Sequence, residues 1–191
     1  MSIVSKICIT EKSGNKMKDV TRADVIANKG IVNDRYFNDN NDKDIQITLI
    51  ESENIDYYNL ISETNIPYIN FRRNIITQGI KLNDLVGKEI LIGDVKLFGH
   101  RLCDPCKYLQ DKLNQKKLVK NLLDKGGLRC EILISGTIYL NDSILNLCQL
   151  PEKEVLNIIK DIIDEKKEEI ERKQEEIYNN HKEKKIGFTN G

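Results

Sequence analysis

No stretch of this 191-residue chain approaches the roughly 18 consecutive apolar residues that suggest a membrane-spanning helix. Charge of one sign is not in excess either, since 30 Lys and Arg balance 30 Asp and Glu. A general electrostatic grip on nucleic acid or on an anionic membrane is therefore not expected, while a local basic patch is compatible with a zero sum. The start, Met1-Ser2-Ile3-Val4-Ser5-Lys6-Ile7-Cys8, has neither the long apolar stretch nor the cleavage site of a secretory signal. The chain is expected to be soluble and cytoplasmic. Its five cysteines, Cys8, Cys103, Cys106, Cys130 and Cys148, are an odd number without such a signal, which speaks against a disulfide framework. Cys8, Cys130 and Cys148 sit inside apolar runs and are expected to be buried hydrophobes.

At this length the chain can build one well-cored domain with an appendage. The composition changes at Pro151, which divides an expected domain at residues 1–150 from a charged helical extension at residues 151–191. Before Pro151, short β-branched runs alternate with turn residues. Residues 3–10 and 45–50 read as strands, the second with the period-two alternation of a half-buried strand, and residues 11–18 as a polar loop between them. Residues 51–64 read as a helix. Further strands are expected at 72–77, 89–92 and 95–101, with Gly93-Asp94 as a tight hairpin connection. Residues 107–123 read as a single helix stopped by Gly126-Gly127. A closing meander follows at 128–135, 137–140 and 143–147. The pattern suggests a mainly β or α+β domain, barrel-like, with inserted helices. After Pro151, residues 152–185 read as one helix about 50 Å long. Leu156, Ile163, Ile170 and Ile177 repeat every seven residues, but Lys166 and Lys173 hold the alternate seam positions. A projecting, solvated helix is the first reading of this tail and a dimer contact the second.

Chemistry concentrates at Cys103-Asp104-Pro105-Cys106, between an expected strand and an expected helix. A thiol at a helix entrance faces unpaired N–H groups and the positive end of the dipole, which favour thiolate. Pro105 suits a helix entrance, and Arg101 and Lys107 add positive charge. A zinc site takes about four ligands, which one Cys-x-x-Cys with His100 and His181 elsewhere does not supply. A thioredoxin-like dithiol fits the motif but not the surrounding meander. Two buried cysteines at a turn remain an alternative. A second feature is Phe71-Arg72-Arg73-Asn74-Ile75. Arg suits bidentate phosphate or carboxylate recognition, and a structural ion pair is the competing reading. On a strand the two arginines would point to opposite faces, so one at most would enter a given pocket. Gly30-Ile31-Val32-Asn33-Asp34-Arg35-Tyr36 and Lys125-Gly126-Gly127-Leu128-Arg129 are weaker signals, each readable as a structural loop or as part of an anion site.

Taken in order, these segments resemble the MOSC domain family, named for the C-terminal domain of molybdenum cofactor sulfurase. The resemblance also draws on Gln46-Ile47-Thr48-Leu49-Ile50-Glu51, Leu85-Val86-Gly87, Ile92-Gly93-Asp94 and Gly136-Thr137-Ile138, and covers about residues 1–148. Asn33 stands where the family usually has Gly before Asp. The resemblance implies a barrel-like fold with Cys106 as the conserved cysteine, carrying sulfur as a persulfide or ligating molybdenum in a pterin-bound cofactor. It places Arg72, Arg73 and Asn74 at the cofactor or anion pocket, with Cys103, Asp34, Arg35 and Arg129 in secondary roles. It also implies molybdenum cofactor (molybdopterin) as the ligand, pyridoxal phosphate as a family-level association, and cofactor-assembly or cysteine-desulfurase-type sulfur donors as partners.

Three functions follow. The first is a cofactor-binding or sulfur-carrier protein built on Cys106. The second is a molybdenum-cofactor-dependent reductase of N-hydroxylated compounds, which would need a separate electron donor because the chain has no flavin or iron–sulfur motif. The third is a non-catalytic module that docks partners through its C-terminal helix.

Overall fold

The computed structural model describes residues 1–39 and 41–187. The chain divides into two compact units, Met1–Gln149 and Leu150–Gly191. The first is mixed α+β. Its strands are β1 (Ile3–Ile9), β2 (Lys18–Val20), β3 (Arg22–Ile26), β4 (Gly30–Ile31), β5 (Ile47–Glu51), β6 (Ile75–Gln78), β7 (Glu89–Ile92), β8 (Val95–Leu102), β9 (Leu128–Ile134), β10 (Gly136–Tyr139) and β11 (Ile144–Asn146). Helices α1 (Ser52–Ile61), α2 (Lys107–Lys112) and α3 (Leu118–Asn121) are inserted between them.

Eight strands form one sheet in the order β11-β7-β8-β9-β5-β6-β1-β2, and three form a second in the order β10-β3-β4. All pairings are antiparallel except β5 with β6, which run parallel with α1 in their connection. The large sheet does not close into a barrel by a continuous ladder. It curls until its two ends approach: an isolated bridge joins Ile3 to Ser143, and Val4 N–H donates to the Asp142 carbonyl at 2.9 Å. Barrel-like is therefore a loose description of an open, strongly curved sheet.

Several expected elements differ from those observed. Strands β2, β3 and β4 were not expected from the sequence; they are two to five residues long, too short for a periodic pattern to register. Residues 107–123 form two short helices rather than one, because Asn114 at φ 52° sits in the left-handed region and breaks the ladder. Strand β5 is buried at all five positions, not on one face only. Its Ile47 and Leu49 enter the core cluster between the sheets, and its Ile50 enters a second cluster with Ile55, Tyr58 and Phe71 beneath the helices. The Gly93-Asp94 hairpin is as expected, with Gly93 at φ 56° supplying the turn.

A strand buried on both faces must satisfy any polar side chain it carries. Thr48 in β5 does so against Asn74. The Asn74 Oδ1 accepts from Thr48 Oγ1 at 2.8 Å and from Thr48 N–H at 3.2 Å. Its Nδ2 donates to the Cys8 carbonyl and to Asp34 Oδ2, both at 3.3 Å. Asp34 Oδ2 also accepts from Thr10 N–H at 3.1 Å. One buried amide thus ties β1, β5, the start of β6 and the loop after β4.

The second unit holds α4 (Glu152–Gly187), 36 residues that open with Glu152 and Glu154, favourable at the positive end of a helix dipole. Leu156, Ile163, Ile170 and Ile177 are each between 42 and 64 % exposed. No helix among the described residues is long and apolar enough to cross a membrane.

Two expectations follow. Asn74→Ala leaves Asp34, Thr48 and the Cys8 carbonyl short of partners, and should lower unfolding free energy by roughly 3 kcal/mol in urea melts, since each unsatisfied buried group costs about 1–3 kcal/mol. Glu51 is buried with Oε2 unpartnered, and burial raises its pKa. The ionised form is therefore disfavoured in the fold, and that penalty is complete above the folded pKa and fades as pH falls through it. Glu51→Gln retains an acceptor for Leu82 N–H, so its melting temperature should exceed that of the wild type at pH 7, with the advantage shrinking toward pH 4.

Candidate functional site

The cysteine loop is shaped by two glycines. Strand β8 ends at Leu102, paired with Leu128 in β9, and Cys103 N–H donates to the Gly127 carbonyl at 2.7 Å. A Cβ on Gly126 would meet the Cys103 carbonyl oxygen at 1.9 Å, and one on Gly127 would meet the Leu49 carbonyl at 1.9 Å. Gly127 also has φ 99°, so only glycine fits without strain. The glycine pair is therefore more than a helix stop: Gly126 lets the Cys103–Cys106 loop pack on the start of β9, and Gly127 lets that start lie against β5. Cys106 then occupies the N-cap of α2 with φ −119° and ψ 156°, its carbonyl accepting from Gln110 N–H at 3.1 Å. Cys106 is exposed, whereas Cys103 is buried.

The arginines arrive by a different route from the one their sequence suggests. Strand β6 begins only at Ile75, so Arg72 and Arg73 are not strand residues. Arg72 caps a short 3-10 turn, Tyr68–Phe71, in the left-handed conformation at φ 61°. The chain reversal there removes the strict alternation of a strand, and both side chains face one cleft. The Arg73 Nε donates to the Gly126 carbonyl at 2.9 Å, which joins the arginine loop to the glycine pair on which the cysteine loop packs. Arg35 Nη2 donates to the Arg72 carbonyl at 3.4 Å, and its guanidinium lies 4.5 Å from the Tyr36 ring centre.

The resulting cleft has a cavity volume of about 250 Å³. Arg35, Arg72, Arg73 and Arg129 line it together with Cys103 and Cys106. Ser13, Tyr36, Asp104, Tyr108 and Leu109 complete the walls. Arg35 pairs with buried Asp34 at 3.4 Å, but among the described residues no carboxylate forms an ion pair with Arg72, Arg73 or Arg129. The Nε of Arg129 is buried without a hydrogen-bond partner. Such a group is costly unless something supplies an acceptor. An anion with several oxygens is the ligand type this wall can hold, and Cys106 is the exposed sulfur beside it.

The candidate residues divide by position. Cys106, Cys103, Arg72, Arg73, Arg35 and Arg129 meet in one cleft. Asn74 and Asp34 do not reach its wall; they are the buried hydrogen-bonded pair behind it. Asn33 adopts φ 63°, a left-handed turn that asparagine tolerates, so the position before Asp34 keeps a glycine-like conformation. Ser13 and Tyr108 carry no signal in the sequence, and only their tertiary placement marks them. Of the three cysteines expected to be buried, Cys8 and Cys130 are, and Cys148 is exposed, because the 3-10 turn it occupies, Leu147–Gln149, buries Leu147 and turns its neighbours outward. Burial, reinforced by a hydrogen bond to Asp19, pushes the Cys8 thiol up to about 12, and burial also raises Cys130. Neither is a ready nucleophile.

Three solved structures share the fold. YuaD from Bacillus subtilis matches with TM-score 0.65 and 20 % identity over 75 % of this chain and 94 % of its own. YiiM from Geobacillus stearothermophilus matches at 0.63 and 16 % identity, over 76 % of this chain and 75 % of its own. YiiM from Escherichia coli matches at 0.57 and 14 % identity, over 75 % and 70 %. No curated protein matches the chain. The model of the MOSC domain family matches residues 34–145, a segment that runs from Asp34 to β11 and contains the arginine motif, the cysteine loop and Arg129. That segment is more than half of the sequence, and the chain belongs to the MOSC domain family.

Proposed function

We propose that the cleft handles a cofactor that joins an anionic group to sulfur or a soft metal, as the molybdenum cofactor does. The observation that carries the reading is one cleft lined by three arginines that form no ion pair with a carboxylate among the described residues, next to an exposed thiol. The donor set fits the cofactor on chemical grounds. Arg72, Arg73 and Arg129 present N–H groups for a phosphate, with the orphaned Nε of Arg129 the clearest vacancy for an acceptor. Cys106 supplies a soft sulfur donor, suited to molybdenum or to carrying sulfane sulfur as a persulfide. Bound there, the cofactor would supply the metal and its redox chemistry.

The chain's own residues bind and orient. Asp34 and Asn74 fix the loops that carry Arg35, Arg72 and Arg73, and Gly126 lets the cysteine loop approach them. Tyr36 and Tyr108, on the same cleft, offer aromatic faces to a planar ring. Asp104 contributes a carboxyl group to the cleft wall. Assembly factors or sulfur donors for such a cofactor are the partner class this reading implies.

Purification of the full chain from a cofactor-competent host, with molybdenum, pterin and persulfide each measured, tests the reading. The wild type should carry molybdenum with pterin, or a persulfide on Cys106. Cys106→Ala should lose the metal or persulfide, and Arg129→Met should lower retained pterin about tenfold, as loss of a charge-assisted contact worth roughly 1.5 kcal/mol or more would do. A wild type that holds neither pterin-bound metal nor persulfide, with Cys106 still alkylatable, overturns it. Alkylation of the native apoprotein should label Cys106 and Cys148 within minutes, and Cys8, Cys103 and Cys130 only after denaturation. Mass spectrometry of the labelled peptides reads this out.

A further inference from the structure

The connection between β1 and β2 is a hairpin tip, residues 10–17, and its residues 11–16 are all exposed. Within the tip, Thr10 Oγ1 donates to the Lys16 carbonyl at 3.1 Å. Two long cationic side chains reach it from elsewhere in the fold. Lys112, near the end of α2, donates from Nζ to the Gly14 carbonyl at 2.6 Å. Arg72 donates from Nη1 to the Asn15 carbonyl at 2.6 Å, its one acceptor among the described residues. Ser13, the neighbour of Gly14 in the tip, is itself part of the cleft wall.

Arg72 thus has two competing uses. Its guanidinium lines the cleft, yet the acceptor it now holds is a neutral carbonyl on an exposed tip. A charged oxyanion is a markedly better acceptor for a guanidinium than an amide carbonyl, through charge and through bidentate geometry. We propose that the β1–β2 tip is a flap that an oxyanion entering the cleft displaces: the anion replaces the Asn15 carbonyl on Arg72, and the tip releases together with its bond to Lys112. This rests on the cleft being an anion site, and it adds that the free protein keeps that site occupied by its own backbone.

The coupling has a sign that distinguishes it from simple electrostatics. By linkage, whatever weakens the closed flap raises the affinity for the anion. Lys112 is exposed and is not part of the cleft wall, but its bond to Gly14 holds the flap. Lys112→Met removes that bond, so it should tighten anion binding. Loss of a positive charge near a positive cleft would by itself weaken it.

Inorganic phosphate is the probe, compared with chloride at matched ionic strength on the full-length apoprotein. Limited trypsinolysis reports the flap, through cleavage after Lys12 and Lys16, with cleavage after Lys167 in α4 as internal reference. Phosphate should accelerate the two flap cleavages in the wild type. Lys112→Met should show faster flap cleavage without phosphate and a phosphate Kd lower by on the order of threefold, the size of one exposed hydrogen bond. Lys112→Arg, which keeps charge and donor, should behave as the wild type. Phosphate binding that leaves flap cleavage unchanged or slows it, or weaker binding by Lys112→Met, overturns the flap while leaving the anion site standing. Failure of phosphate to bind at all overturns the anion site, and the flap with it.

Discussion

Asn74 has both ends of its side-chain amide and both backbone polar groups committed to other segments. Its carbonyl accepts from Cys8 N–H at 2.7 Å, its own N–H reaches the Thr48 carbonyl at 3.0 Å, and its side chain bonds Thr48, Cys8 and Asp34. In a position 1 % exposed, each of these bonds replaces one that water would otherwise supply. The consequence extends outward. With Asn74 fixed between β1 and β5, the two preceding residues cannot continue β6, and the left-handed turn at Arg72 directs both arginines to one side. With Asp34 fixed against Asn74 and Thr10, Arg35 leaves its loop toward the same side. The cleft's positive wall is therefore held by a buried neutral amide and a buried carboxylate, rather than by pairing each arginine with its own acid.

That arrangement leaves charge available. Most cations in the domain that form ion pairs do so on exposed surface, such as Lys6 with Asp19 or Lys29 with Asp39, where the pairs contribute little to stability. In the cleft the pattern reverses: Arg72 and Arg73 hold carbonyls, and the Nε of Arg129 has no hydrogen-bond partner among the described residues. Arg73, held in place by its hydrogen bond to the Gly126 carbonyl, is already oriented, so an incoming anion meets a donor that loses little further freedom there. The glycine pair at 126 and 127 completes the arrangement from the opposite side, since its missing side chains are what bring Cys103, and with it Cys106, against the arginine loop.

The C-terminal unit stands apart from this logic. Its helix carries a seven-residue apolar repeat through Leu156, Ile163, Ile170 and Ile177, with lysines at the alternate positions. Hydrophobic spacing alone admits a solvated helix and one side of an interface, and Lys166 and Lys173 at the alternate seam positions favour the solvated helix.

Much of this protein was legible in its sequence because the signals were local. The strands at β1, β7, β8 and β9, the Gly93 hairpin and the long α4 follow from periodicity and turn chemistry within a few residues. Cys106 at a strand-to-helix junction beside Pro105 is likewise a matter of neighbours in the chain. What the sequence misplaced depended on distant contacts. Arg72 and Arg73 read as strand residues because they stand between Phe71 and the β-branched run Ile75-Ile76-Thr77, and the long-range bonds of Asn74 delay the strand to Ile75. The family resemblance put Asn74 at the pocket; its burial between β1 and β5 depends on distant segments and leaves no mark in the neighbouring sequence. The convergence of residues 13, 35, 72, 106 and 129 on one cleft is set by strand order and chain reversal. Composition determined which chemistry this chain can offer, an unpaired thiol and several guanidinium groups, because side-chain identity is fixed residue by residue. Tertiary structure alone decided that they meet, because the β5–β9 and β1–β6 pairings that bring them together join segments many residues apart.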